Sequence, residues 1–467
     1  MNLRQSKSIC RQHRERATVL VIVLWTAIGL ISIALYFANS MSYELRASDN
    51  RVSGLETEQA IEGAARYISY VLYTYATNGA VPVNTQFAAE AVPVGDAHFW
   101  IIGRDPSDTP SSEPYFGIVD EASKLNLNTV DTNTLSYLPN MTTDFADAIM
   151  DWRSTNGGGL YSMNYDALGY QDKNAPFETV DELRLVYGAT IDLLAGNDAN
   201  RNGVLDANEK TANGSTEVEP GLFEYCTVYT REPNFLPDGT MLTNVNMVTE
   251  QDMESLFENA GVANGQTVAE SIFNQIHVPA GRNGTTYAPC NGLLDFCYRC
   301  RNAGMTSDDF AKIAPNVTTS TSAYIRGRVN IDTANAVVLT ALFMGVGTNQ
   351  QIDQSTAQTA AQTMITYRQQ NPDSMNSVAW IVDALGISSP VITALRGGDY
   401  ITSRSYQFSA DIAAVGPFGR GYRRVKFIFD TSDGTPIIIY RQDLSRLGWA
   451  LGDKARQTWV ANASNNE

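Results

Sequence analysis

The chain has 467 residues, with 50 acidic against 33 basic side chains and a formal net charge of −17. A surface this acidic repels nucleic acid and anionic lipid headgroups, and the length calls for two or three domains. With three histidines (His13, His98 and His277) and no nucleophile elbow, phosphate loop or H-E-x-x-H motif, the chain holds no familiar catalytic constellation and reads as a non-enzyme.

Residues 1–17 carry Arg4, Lys7, Arg11, Arg14 and Arg16 against Glu15, so the remainder of the chain carries −21. From Ala17 to Tyr43 there is no charge, and an apolar run of about 20 residues crosses a bilayer as a helix. The basic flank places the N-terminus in the cytoplasm and the acidic body outside it, a single-pass topology. A cleaved secretory signal would have a shorter apolar core and a small-residue exit, which this segment lacks. The pattern then continues as helix: Leu45, Val52, Leu55, Ile61, Ala64, Ile68, Val71 and Tyr75 recur near spacings of three and four, with no proline before Pro82. One helix over 18–75 is predicted, weakened locally by Gly54 and Gly63.

Two strands follow, over His98–Arg104 and Tyr115–Asp120, and three more stand near the far end: Ser405–Ile412, Arg424–Asp430 and Pro436–Arg441. The spans 76–121 and 400–448 therefore hold a sheet. Between them, residues 122–399 read as a mostly helical insertion, and residues 449–467 as a tail.

The insertion contains an internal repeat. Leu125-Asn126-Leu127-Asn128-Thr129 matches Val329-Asn330-Ile331-Asp332-Thr333, and Ala146…Ile149…Trp152-Arg153 matches Ala361…Met364…Tyr367-Arg368. A third block, from Phe177 to Gly188, matches Met375 to Gly386 at identical offsets. Helix starts are predicted at Thr129 and Thr333, and at Thr179 and Ser377; Thr179-x-x-Glu182 is a capping box. Each unit resembles a helix-hairpin-helix (SAM-like) module. Such modules often hold DNA, but the hairpin Leu138-Pro139-Asn140-Met141 is followed by Asp144, Asp147 and Asp151, which would repel phosphate. A nucleic-acid partner is not expected, and the units read as packing modules.

Between the two units lies a twelve-residue loop with oxygen-bearing residues at the calcium-loop spacing: Asp198, Asn200, Asn202, the Val204 carbonyl, Asp206 and Glu209. A hard cation needs six or seven converging oxygens, and this loop supplies them, with Gly203 at the sharp turn. Calcium is the expected cofactor, in a structural role. Cys226, Cys290, Cys297 and Cys300 form an even set outside the cytoplasm, most simply read as disulfides of undetermined pairing; the alternatives are half of a zinc site at Cys297-x-x-Cys300 and free thiols.

The junction Ala17/Thr18, in R-E-R-A-T-V-L-V-I-V-L-W, resembles the processing site of type IV pilins and pseudopilins, where a membrane peptidase cuts before the apolar helix. That resemblance makes Ala17 and Thr18 the processing residues and 1–17 a removed leader. Most members of that group carry Glu at the fifth mature position; this chain has Ile22. In the group that carboxylate meets the amine of the subunit ahead, so an apolar residue suits a subunit with none ahead. The ordered blocks D-E-A-S-K-L-N-L-N-T (Asp120–Thr129), A-I-M-D-W-R (Ala148–Arg153), N-A-P-F-E-T-V-D-E-L-R-L-V-Y-G (Asn174–Gly188), G-R-V-N-I-D-T-A (Gly327–Ala334) and Y-R-Q-D-L-S-R-L-G (Tyr440–Gly448) resemble the K-type minor pseudopilin of type II secretion systems. The resemblance implies an α+β, pilin-like fold: a long N-terminal helix packed on an antiparallel sheet, interrupted by the helical insertion. It also implies a place at the pseudopilus tip, with I- and J-type minor pseudopilins and the major pseudopilin as partners in protein export. The alternative is a membrane-anchored, calcium-dependent adhesion protein or a type IV pilus minor pilin.

Overall fold

The computed structural model describes residues 6–157, 159–209, 217–277, 288–347 and 351–459. Side chains before Val19 lie outside the described ones, as do residues 1–5 of the expected leader and 460–467 of the expected tail. Helix α1 runs unbroken over Ser6–Tyr75, 70 residues, so Gly54 and Gly63 do not interrupt it. From Val19 to Tyr43 every large apolar side chain is more than half exposed, and the segment is long and apolar enough to cross a membrane. Exposed apolar surface is unfavourable in water by roughly 25 cal/mol per Å², so this segment requires lipid or another apolar helix around it.

The distal part of α1 behaves differently. Ala60, Ile61, Ala64, Ala65, Ile68 and Leu72 lie along one face at helical spacing and are buried against the sheet. Leu45, Val52 and Leu55, expected in the same stripe, are instead exposed, because the sheet reaches α1 only from about Ser53 onward.

The sheet has six strands: β1 (Val92–Val94), β2 (Ala97–Ile102), β3 (Val119–Asp120), β4 (Gln407–Val415), β5 (Arg423–Asp430) and β6 (Ile437–Asp443). Their order is β1-β2-β4-β5-β6, with β3 beside β4, and every pairing is antiparallel. Alternation sends Phe99, Ile101, Phe408, Ala410, Ile412, Phe427 and Phe429 toward α1. The opposite face, with Trp100, Ile102, Ala413 and Val415, is covered by Ala450 and Leu451 and by a C-terminal helix, Gly452–Trp459. The Trp459 ring lies 5.7 Å from Trp100 and 4.1 Å from His98, so the expected tail is, as far as Trp459, a structural layer.

The chain leaves the sheet at Asp120 and returns at Gln407, and Asp120 pairs with Phe408. The two ends of the insertion are therefore adjacent, which lets a long segment enter a sheet without distorting it. Asp120 marks that gate. It accepts from the Ala122 amide (2.7 Å), Asn330 Nδ2 (2.8 Å), Thr333 Oγ1 (2.5 Å) and the Ser405 hydroxyl.

The insertion folds as three units, where two are evident in the sequence repeat. Each opens with a two-residue strand ending in Asn and closes with one ending in Thr, paired in parallel: Leu125–Asn126 with Cys226–Thr227, Thr243–Asn244 with Val317–Thr318, and Val329–Asn330 with Ile401–Thr402. In each, the Asn side chain accepts from the amide two residues on, at Asn128, Asn246 and Asp332. In each, a cap five residues after that Asn starts a helix: Asp131 for α2 (Thr132–Ser136), Thr249 for α3 (Glu250–Asn259) and Asn335 for α4 (Ala336–Gly345). The predicted starts at Thr129 and Thr333 are thus turn residues: their amides donate back to the carbonyls of Asn126 and Asn330, closing the turn before the helix begins. Likewise the Ser377 start moves to Trp380, whereas Thr179 does cap a short 3-10 turn, Val180–Leu185, with Glu182 accepting from its amide at 3.0 Å.

Candidate functional site

The loop from Asp198 to Glu209 closes on itself. Asp198, Asn200, Asn202 and Val204 are buried, at 2%, 4%, 1% and 4% exposure. The Asp198 carboxylate accepts from the amides of Asn202 (3.0 Å) and Gly203 (2.8 Å), and Glu209 accepts from those of Asn200 (2.9 Å) and Asp206 (3.1 Å). Asp206 Oδ2 receives the side-chain amides of both Asn200 (2.5 Å) and Asn202 (3.1 Å). Gly203 sits at φ +84° and Arg201 at φ +57°, left-handed conformations that turn the chain sharply at the middle of the loop. A Cβ at Gly203 would also come within 3.2 Å of the Arg104 guanidinium.

Burial pushes the Asp198 carboxyl up to about 6, against the opposing pull of Arg104. A carboxylate this shielded is relieved by a cation. Among the described residues, His, Cys, Asp and Glu side chains alone form no group that could hold a metal. Asp198, Asp206 and Glu209 need the amide oxygens of Asn200 and Asn202 and the Val204 carbonyl to complete a shell. An all-oxygen set of this kind fits a hard divalent cation and not a soft one.

The loop is seated on the sheet by two arginines. Arg424, on β5 and fully buried, donates two hydrogen bonds to the Asp411 carboxylate (2.8 and 2.6 Å). Its remaining donors reach the carbonyls of Asn200 and of Arg201, the latter at 3.0 Å. Arg104, at the end of β2, pairs with Glu224 at 2.7 and 2.8 Å and also donates to the Arg201 carbonyl at 3.3 Å. Burial alone would favour neutral guanidines; Asp411 and Glu224 outweigh it and raise both pKa values, so both side chains stay charged. Trp449 closes the seat, its carbonyl accepting from Asn200 Nδ2 at 3.1 Å. Reading the loop alone could not reveal these partners, which lie far away in sequence.

The expected disulfides are not formed: Cys226, Cys290, Cys297 and Cys300 are buried free thiols. Cys226 lies in the closing strand of the first unit, while the other three lie together in the second, with Cys297 and Cys290 both close to Cys300. Burial pushes Cys226 and Cys290 up to about 12 and the other two up as well. They pack as small apolar residues. No third ligand joins Cys297 and Cys300 to form a metal group among the described residues.

The arginines that recur in the repeat also turn inward. Arg153 donates to the carbonyls of Leu127 and Val130 (2.6 Å), and Arg368 to those of Ile331 (3.3 Å) and Ala334 (2.7 Å), the equivalent residues. In the middle unit His277 Nε2 meets the Val245 carbonyl at 3.0 Å, the same position in the turn. These side chains therefore hold backbone carbonyls of the fold, Arg368 also that of Pro106 at 2.8 Å, rather than being displayed to an anionic partner. The hairpin glycine of the first unit is replaced by Asn140 at φ +58°, a conformation asparagine tolerates; Gly261 at φ +66° takes that place in the second. Ala17 and Thr18 lie within the unbroken α1.

No family model and no curated protein matches the sequence. Among solved structures, a chain of the GspK–GspI–GspJ complex from the type 2 secretion system of enterotoxigenic Escherichia coli aligns over 84% of this chain and 98% of its own, with 10% identity and a TM-score of 0.38.

Proposed function

We propose that this chain is a K-type minor pseudopilin: a subunit at the tip of a type II secretion pseudopilus that starts or caps the fibre and supports export across the outer membrane. The observation that carries the reading is the division of α1. Its uncharged first part exposes its large apolar side chains from Val19 to Tyr43, and the same helix then packs on a sheet whose strands flank a large helical insertion. A helix half in lipid and half on its own domain can be drawn out of the bilayer and bundled with like helices, which a simple anchor has no need to do. Ile22 removes the carboxylate that would otherwise seek a subunit ahead, consistent with the foremost place.

On this reading the leader 1–17 is cut at Ala17/Thr18, the body lies in the periplasm, and the partners are I- and J-type minor pseudopilins and the major pseudopilin. Calcium bound by Asp198, Asn200, Asn202, Val204, Asp206 and Glu209 would stiffen the insertion. Its role is to neutralise the carboxylates and cross-link the loop.

The test is expression of the full chain with a prepilin peptidase and mass spectrometry of the N-terminus, which is expected to begin at Thr18. Deletion should abolish secretion of type II substrates and leave surface attachment intact. An uncut chain that never co-purifies with I- and J-type proteins, or loss of adhesion with secretion unchanged, would refute the proposal.

A further inference from the structure

The loop at 198–209 belongs to the insertion, but the groups that hold its backbone belong to the sheet. The carbonyls of positions three and four, Asn200 and Arg201, face the sheet: Arg424 on β5 donates to both, and Arg104, two residues past β2, donates to that of Arg201. That orientation leaves the side chains of Asn200 and Asn202 on the inside, beside Asp206. A bare guanidinium next to a cation site would oppose the cation by Coulomb repulsion. Here each arginine brings its own carboxylate, Asp411 for Arg424 and Glu224 for Arg104, in two-pronged pairs. Each pair is neutral overall and offers only its spare N–H groups to the loop.

We infer that Arg424 is a positioning residue for the loop, and that cation binding at 198–209 and seating of the insertion on the sheet are one linked equilibrium. The inference rests on the calcium reading above and goes beyond it. A structural ion inside the insertion would stabilise the insertion alone. This arrangement carries the effect across to β5 and to the segment around Trp449, more than 200 residues away. If the loop opens, the N–H groups of a fully buried arginine lose their acceptors, so opening the loop and unseating the sheet contact occur together.

The experiment uses the full chain in detergent, stripped with chelator and titrated with calcium chloride, read by calorimetry and by hydrogen exchange. Calcium should bind, and should raise amide protection over 198–209 and also over 423–430 and 444–450. Asp198→Asn should abolish both rises. Arg424→Lys, which keeps the charge but cannot span Asp411 and two carbonyls, should weaken calcium binding about tenfold or more. Absence of any calcium binding by the wild type sinks the calcium reading and this inference with it. Binding with protection confined to 198–209, or an unchanged affinity in Arg424→Lys, overturns the inference and leaves the calcium reading standing. The wild-type exchange arm decides the matter even where the arginine variant does not fold.

Discussion

Replacing Arg368 by methionine keeps the apolar stem and removes the guanidinium, and the structure fixes what is lost. Arg368 is 7% exposed and donates to three backbone carbonyls: Ile331 at 3.3 Å, Ala334 at 2.7 Å and Pro106 at 2.8 Å. The first two belong to the turn that precedes α4; the third belongs to the loop leaving β2. A hydrogen bond to a charged group contributes about 1.5–3 kcal/mol, and a buried carbonyl left unpaired costs about 1–3 kcal/mol. Because one side chain makes all three bonds, the terms do not add, and we expect a loss of about 3 kcal/mol. The equivalent Arg153 is less buried and serves two carbonyls of its own unit, so Arg153→Met should lose about half as much. The assay is native-state hydrogen exchange, which resolves local opening in a chain too large for a single two-state transition. Amide protection over Ala336–Gly345 should fall about a hundredfold in Arg368→Met, and protection over Thr132–Ser136 about tenfold in Arg153→Met. Equal losses in both, or no measurable loss for Arg368→Met, would refute the view that these arginines hold the repeat turns.

Asp332 gives a pH dependence with a defined sign. Desolvation raises its carboxyl from 3.8 to about 8 while Trp380 Nε1 donates to it at 2.7 Å, so the folded state holds the proton more tightly than the unfolded state. Stability should therefore fall as pH rises from about 4 to about 8; Asp332→Asn, which keeps an acceptor for Trp380, should flatten that part of the melting profile, and an unchanged slope would count against the assignment. Gly345→Ala would place a Cβ 2.1 Å from Thr134 Oγ1 and 2.5 Å from its Cα, forcing the first and third units apart; native-state exchange over Ala336–Gly345 should show a loss of about 1–3 kcal/mol, and unchanged exchange would mean the units do not meet there. Glu209→Gln should lower the melting temperature in calcium but not in chelator, and identical melting in calcium would remove the structural-metal claim. Trp459→Ala should destabilise the sheet by exposing Trp100 and His98, visible as increased exchange in β2; unaltered exchange would return that segment to the status of a tail.

Some of this protein is written locally and could be read without a structure. An uncharged run from Ala17 to Tyr43 states its own solvent preference, because hydropathy is a property of neighbouring residues. The loop at 198–209 is legible for the same reason: all its oxygen-bearing positions fall within twelve residues, and Gly203 marks the turn they require. Two repeat units were visible because Asn, Leu and Arg recur at matching offsets. The middle unit was not, although Thr243-Asn244-Val245-Asn246 carries the same opening, because His277 stands where the others have arginine and its helices differ in length.

What remained was decided by contacts between distant residues. Four cysteines look like disulfides by count and compartment, yet Cys226 lies in a different unit from the other three and all four are packed as thiols. Residues after Gly448 look like a tail by composition, yet Trp459 completes the second face of the sheet. Nothing near the 198–209 loop announces Arg424, because a guanidinium finds its acceptors through space and not along the chain. Sequence patterns report what each segment prefers by itself; only the assembled fold determines which segments satisfy one another.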